Sequence, residues 1–296
     1  MSISWCKLRL LLALDCCCGS PAHRFYRCRG EVGGRPGGTG NLLPEKSPNP
    51  SKTQVCAFHL KNKDARRELE IHLRGERLEH CMTPRYLGVT LDRTLSFRQH
   101  CINTKGKVSA RNNILRKLTG RAWGAQSETL RSSALALCVS TAEYAAPVWA
   151  ASPHTKHVDV AINETARIVT GCLKPTSVNS LYPLIDVARP SVQRAAATDA
   201  ERTKQETDAR HPLHQHEPAG RRLRSRKSFM ARSHTLKGSI ENNRVTRWTQ
   251  QLTTRELPRE EMAPGKHFPF AVWKSLNRLR TGEARCKTNL LKWGNV

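Results

Sequence analysis

Polar and apolar positions divide this 296-residue chain into stretches of different texture. The first 49 residues keep no lasting period. An apolar run, Leu10-Leu11-Leu12-Ala13-Leu14, comes after Lys7 and Arg9 and gives way to Asp15, Cys16-Cys17-Cys18 and a glycine-rich tract from Gly30 to Gly40. The run is too short for a secretory signal or a membrane span, and the glycine-rich tract predicts disorder, so residues 1–49 read as a leader unlike the rest. Palmitate on the cysteine triplet would lack a second anchor.

From Pro50 the pattern tightens. Gln54 to Leu60 alternates, with Cys56, Phe58 and Leu60 on one side, and predicts a strand. Lys61 to Arg67 is a charged excursion, after which Leu69 to Leu73 and Arg77 to Cys81 flank Gly75 as the arms of a hairpin. Pro84 then fixes a turn before a short strand from Tyr86 to Leu91, where Gly88 marks a bulge or a close backbone approach. These pieces predict a small antiparallel β unit over about 52–92.

After Phe97 the period becomes helical. Val108, Ile114, Leu115 and Leu118 are assigned to one apolar face, with Lys107, Arg111, Arg116 and Lys117 around them. Trp123 and Gly124 mark a break. Ser127 is expected to cap a helix carrying Leu130, Ala134, Leu137, Cys138 and Val139, which Pro147 ends or kinks near Ala146. Asp159 to Cys172 predicts a further helix, with Val160, Ile162, Ala166, Ile168 and Val169 inward and Gly171 at its C-terminal end. A short apolar stretch from Leu181 to Ala188 and a more polar helix from Val192 to about Lys204 complete a bundle. The predicted class is α+β: the β unit, then a mostly helical bundle over about 102–205, with a disordered N-terminal region and a loosely folded C-terminal one. Segment boundaries fall at 1–49, 50–97, 98–205 and 206–296.

Charge sharpens this picture. Fifty Lys and Arg against 24 Asp and Glu give a formal charge of +26, which draws the chain to polyanions, nucleic acid first among them. Eight basic residues and no acid lie between Arg93 and Arg121, and seven with no acid between Arg221 and Lys237. The second run, Arg221, Arg222, Arg224, Arg226 and Lys227 at its head, reads as a salt-sensitive phosphate contact, a nuclear localisation patch or a solvated basic linker. The 11 cysteines include no Cys-x-x-Cys pair, and idle thiols in a reducing compartment are favoured over a disulfide framework. His211, His214 and His216 lie close together, but Pro212 and the lack of a completing ligand set favour a polar loop over a metal site. Tyr144 and Trp149 have aromatic faces that stack bases in single-strand binders; beside Ala and Val at helical spacing, core is favoured.

The stretch Tyr86-Leu87-Gly88-Val89-Thr90-Leu91-Asp92, with Lys105, Lys107 and Leu115-Arg116-Lys117-Leu118 behind it, resembles non-LTR retrotransposon reverse transcriptases of the jockey-like kind. It looks like the passage from primer grip to thumb, and the resemblance extends from about Asn49 to Asn295. Glu143-Tyr144-Ala145-Ala146-Pro147-Val148-Trp149 is similar to a pattern beyond that family's thumb, and Trp273 to Gly282 with Leu291 to Gly294 to its C-terminal extension. What this implies is an RNA-directed DNA polymerase fragment: end of palm, primer grip, thumb and linker. Tyr86, Gly88, Lys105, Lys107, Arg111, Arg116 and Lys117 would then meet nucleic acid. Lys52, in the match to the lysine-bearing region after the catalytic hairpin, would contact nucleotide phosphates or simply open a strand in solvent. Implied partners are RNA, an RNA–DNA hybrid or DNA, with no membrane. The parent family uses Mg2+, but the chain has no Asp-Asp pair, and neither a catalytic residue nor a cofactor is assigned to it. A non-enzymatic basic RNA- or DNA-binding protein and a non-functional translated element are the alternatives. The expected location is nuclear or cytoplasmic rather than secreted.

Overall fold

Between Thr53 and Leu91 the alternation of apolar and polar side chains never holds for more than a few positions, and the strands it supports are correspondingly short. The computed structural model describes residues 53–59, 62–66, 68–73, 75–120, 124–216, 238–252 and 261–294. Strand β1 (Gln54–Val55) pairs with β4 (Glu79–His80) in parallel, Gln54 opposite Glu79 and Val55 opposite His80. The short helix α1 (Asn62–Ala65) fills the charged excursion between them. Strands β2 (His72–Leu73) and β3 (Glu76–Arg77) form the expected hairpin about Gly75, and β5 (Arg85–Tyr86) pairs antiparallel with β6 (Val89–Thr90). The strand expected over Gln54–Leu60 is two residues long and parallel to its partner, so the unit is not wholly antiparallel. The strand expected over Tyr86–Leu91 folds back on itself, because Leu87 at φ 45° and Gly88 at φ 84° make the two-residue turn that a tight hairpin requires.

Helix α2 (Arg98–Lys117) comes next. Its first amide is capped from outside the helix: the Asp92 carboxylate accepts from the backbone N–H of Arg98 at 3.2 Å and of Ser96 at 2.7 Å. The buried face runs through Cys101, Thr104, Val108, Asn112 and Leu115. Ile114 points outward, 51% exposed, contrary to its assignment to that face. Asn112 takes the inward position four residues after Val108 instead, as helical spacing requires.

Helix α3 (Ser127–Ala134), a π-helical turn (Leu135–Val139) and α4 (Ser140–Glu143) run back along α2. The N-cap is Gln126, while Ser127 is the first helical residue and gives its hydroxyl to the Lys266 carbonyl at 2.5 Å. Wider turns leave helical carbonyls poorly used. Leu137 O is claimed by Arg111 Nη1 at 2.7 Å and the Thr141 hydroxyl at 2.8 Å. Ala145, left-handed at φ 52°, breaks the helix, and Pro147 lies in the first turn of α5 (Ala146–Trp149), opening a helix where it was expected to close one.

Helix α6 (Lys156–Thr170) lies beside α2 in the same direction: Ser152 donates to Ser96 O at 2.6 Å near their starts, and Asn112 Nδ2 to Ala161 O at 2.9 Å further along. Val158, Ala161, Ile162, Ala166 and Val169 face the core, whereas Val160 is 59% exposed despite being expected inward. Helices α7 (Val178–Leu184) and α8 (Pro190–Thr207) close the bundle, and α9 (Ile240–Gln251) lies along α8 through Trp248, Val192 and the Arg247–Asp199 ion pair. Among the described residues no helix is long and apolar enough to cross a membrane.

Within the C-terminal third, α10 (Phe270–Arg280) docks on the end of α6, and α11 (Lys287–Lys292) comes after it. A helix leaves its last carbonyls without internal donors. Here Trp273 Nε1 donates to Val169 O at 3.0 Å, Asn277 Nδ2 to Thr170 O at 3.0 Å and Arg278 Nε to Gly171 O at 2.9 Å. Gly171 closes α6 at φ 69°, as its place after the apolar pattern predicted, and a Cβ there would stand 2.6 Å from Lys274 Cγ. Backbone strain and collision both oppose a side chain. Gly171→Ala is expected to lose about 2 kcal/mol of unfolding free energy in urea titrations, while Gly75→Ala, with open space around its Cβ position, loses only its turn preference, about 1 kcal/mol.

Candidate nucleic-acid interface

The tip of the β5–β6 hairpin is held to the bundle by the Tyr144 side chain. Tyr144 donates from its hydroxyl to Leu87 O at 2.7 Å, and its ring passes the turn so closely that a Cβ on Gly88 would lie 3.2 Å from Tyr144 Cε1. The close approach expected at Gly88 is therefore present, and its neighbour is the Tyr144 ring. Tyr86, opposite Val89, is half-buried, and burial raises its phenol above the ordinary range. At the break after α4, Trp149 donates from its indole to Tyr144 O at 3.0 Å and is fully buried. Trp149 is core, as expected. Tyr144 is 43% exposed and works as a clamp with one open face.

Helical geometry decides how the basic residues of α2 can act. Arg98, Lys105 and Arg116, spaced by seven and then eleven positions, fall on the flank beside α6; Lys107 and Arg111, four apart, fall on the flank beside the π-helical turn. Lys117 projects between the two. A helix of 20 residues without one acid thus carries two basic flanks rather than a single stripe. Two of its arginines are partly engaged. Arg111 gives one nitrogen to Leu137 O, and Arg116 holds Asn113 Oδ1 at 2.6 Å and Glu164 Oε1 at 2.8 Å. Lys105, Lys107 and Lys117 are exposed and form no ion pair among the described residues. Lys52 and the run Arg221, Arg222, Arg224, Arg226 and Lys227 lie outside the described residues.

Sequence reasoning missed the corner where α2 and α6 begin. His154 and His157 stack there with ring centroids 6.2 Å apart, and the His154 imidazole is held below its ordinary value by burial and by Arg98, His157 and Lys156. The Asp92 carboxylate acts in the opposite sense on His154, so this corner joins cations to one acid. Arg98 carried a usable signal, standing one heptad before Lys105; the two histidines join them only because α2 and α6 are parallel.

The central aspartates among the described residues are engaged in caps and ion pairs. Among the described residues no group of three His, Cys, Asp or Glu side chains converges to hold an ion. Asp92 caps α2, Asp159 chelates Arg194 at 2.5 and 3.0 Å, Asp186 meets Arg131 at 3.5 Å, and Asp199 pairs with Arg247. His211 faces Glu201 at 3.1 Å, and His214 meets Gln205 O at 3.2 Å, so these two histidines fold a turn back onto α8. A cavity of about 20 Å³ between Arg131, Ile162, Tyr182 and Val187 has room for about one water, far below a substrate pocket. No family model, curated protein or solved structure matches this chain.

His100 ties the hairpin to α2. Its Nδ1 accepts the Thr90 backbone N–H at 3.2 Å, its ring lies 5.7 Å from Trp149, and it is buried. Burial, with Lys107 and Arg85 adding repulsion, lowers its pKa to about 4. The folded state therefore favours neutral imidazole: the contribution is complete above the unfolded value of about 6.5 and lost as pH falls through about 4, on the order of 3 kcal/mol in all. Glu143 acts oppositely, since burial raises its carboxyl to about 6 against Arg194 and Arg244, so its protonation favours the fold. Comparing the parent with His100→Gln at each pH cancels that contribution. The stability difference is expected to shrink steadily from pH 6.5 to pH 4.

Proposed function

We propose that this chain is part of a non-LTR, jockey-like retrotransposon RNA-directed DNA polymerase, from the end of the palm through primer grip, thumb and linker. In this reading it grips nucleic acid and does not polymerise by itself. The observation that carries the reading is the continuous unit from Tyr86 to Lys117. A hairpin is clamped at its tip by Tyr144, Asp92 caps the start of α2, and that acid-free helix presents lysines on both flanks. The buried half of α2 fixes its orientation while the lysines stay in water, the arrangement required to meet phosphates without desolvating them in advance. Binding of the lysines would release counterions, and two flanks can address phosphates on both sides of a duplex groove.

A second reading, a basic RNA- or DNA-binding protein with no polymerase role, is favoured by the use of all four central aspartates in caps and ion pairs. Substrate preference separates the two. The full chain is expected to bind a short RNA–DNA hybrid more tightly than single-stranded RNA across a salt series. In Lys105→Glu/Lys107→Glu/Lys117→Glu, affinity for the hybrid is expected to fall at least about tenfold and the log–log salt slope to flatten by about 2 to 3. Equal binding of hybrid and single strand favours the second reading. An unchanged slope in the variant removes α2 from the interface.

A further inference from the structure

Six described cysteines are free thiols, scattered through core and surface in the way the sequence suggested, except that two of them stand beside paired strands. Strands β1 and β4 are in parallel register with Val55 level with His80, and the Cys81 N–H donates to Val55 O at 2.9 Å. One step further along the same register sets Cys56 level with Cys81. Residues level in a parallel pair project to the same face, and neighbouring strands are about 4.8 Å apart. That spacing lies inside the Cα separation a disulfide accepts, roughly 4.4 to 6.8 Å. Both side chains are half-buried, so a small oxidant reaches them, and Cys56 Sγ gives only a weak hydrogen bond, to Ala57 O at 3.7 Å.

We propose that Cys56 and Cys81 form a reversible disulfide that locks β1 onto β4, making this edge of the β unit a thiol–disulfide exchange site for a small-molecule disulfide. In the first step a thiolate of the pair attacks one sulfur of the small disulfide and displaces one small thiolate, leaving a mixed disulfide. In the second, the other cysteine loses its proton to water and attacks the protein sulfur of that mixed disulfide, expelling the second small thiolate. Two protein thiols are oxidised, one small disulfide is reduced, and the two protons end on the released thiolates or in solvent. A small thiol in excess reverses both steps, so the lock responds to the redox state of its surroundings.

The surroundings of the pair set its rate. Burial first, and then Cys81, raise the Cys56 thiol to about 11 against the pull of Arg93, with Asp92 adding to the rise. Attack by Cys56 is therefore slow at neutral pH, and closure quickens as pH rises. The bond closes a loop that begins just after β1 and contains α1 and the β2–β3 hairpin, and the β1–β4 pairing already holds the ends of that loop together.

The test is to expose the full chain to oxidised glutathione, with and without urea, block remaining thiols by alkylation and map linked peptides by mass spectrometry. In the native chain Cys56–Cys81 is expected to be the dominant internal link, whereas in urea the 11 cysteines pair without that preference. Cys81→Ser is expected to leave Cys56 as the glutathione mixed disulfide, which shows that it is reachable and lacks only its partner. The proposal is overturned if the exposed Cys286 becomes glutathionylated while native Cys56–Cys81 stays at or below its yield in urea, or if closure shows no rise with pH.

Discussion

At the centre of α2 the buried amide of Asn112 donates from Nδ2 to Ala161 O and accepts at Oδ1 from the Thr165 hydroxyl at 2.7 Å and the Cys138 thiol at 3.4 Å. Three elements therefore read the same side chain: α2 supplies it, α6 binds both its ends, and the π-helical turn adds a third contact. An unpaired amide at this depth costs a few kcal/mol, so the register of each helix against the others is fixed by whether these partners line up. A Leu at this position would pack, but it would not distinguish one register from a neighbouring one. The basic flanks of α2 inherit their direction from this choice.

The same logic governs the arginines. With a formal charge of +26, the chain has far more cations than carboxylates, yet several are used inside. Arg194 forks onto Asp159 with its guanidinium 5.6 Å from the Trp149 ring centre, joining α8, α6 and α5 at one point. Arg131 reaches across to Ile185 O at 2.6 Å and Asp186 O at 2.9 Å, covering the end of α7 where Asp186 turns left-handed. Arg278 does the equivalent for α6. Planar, many-donor guanidinium groups suit such carbonyl-rich ends, whereas the flexible ammonium groups of Lys105, Lys107 and Lys117 stay in solvent. Net charge alone does not separate these structural arginines from the exposed lysines.

These particulars explain how far the sequence was legible. Helix α6 was readable because its inward positions are apolar and Gly171 punctuates its end. Helix α2 was readable as a helix with Val108 and Leu115 inward, but Ile114 was misplaced and the polar part of the buried face was not legible, since hydropathy scores His100, Thr104 and Asn112 outward; the Thr165 partner of Asn112 lies 53 positions away in sequence. The passage from Ser127 to Trp149 misled for a different reason. A π-helical turn shifts the phase of everything after it, and the left-handed Ala145 hands Pro147 to a new helix. In the candidate site, the lysines were legible as charge and the Gly88 turn as a close approach. The ring that approaches it belongs to a residue 57 positions beyond Leu87 and was not legible. Neither was the parallel pairing of β1 with β4 that sets Cys56 beside Cys81, because such a pairing leaves no local trace between its strands.

The central amide can be tested by a double-mutant cycle. Asn112→Ala, Thr165→Val and the double variant would be unfolded in urea under identical conditions, with Cys138→Ala as a check on the third contact. A shared network predicts that the two main losses do not add, with a coupling of about 1 kcal/mol or more. Losses that sum to within about 0.4 kcal/mol would mean that Asn112 and Thr165 act independently, and the amide would no longer explain the register of the bundle.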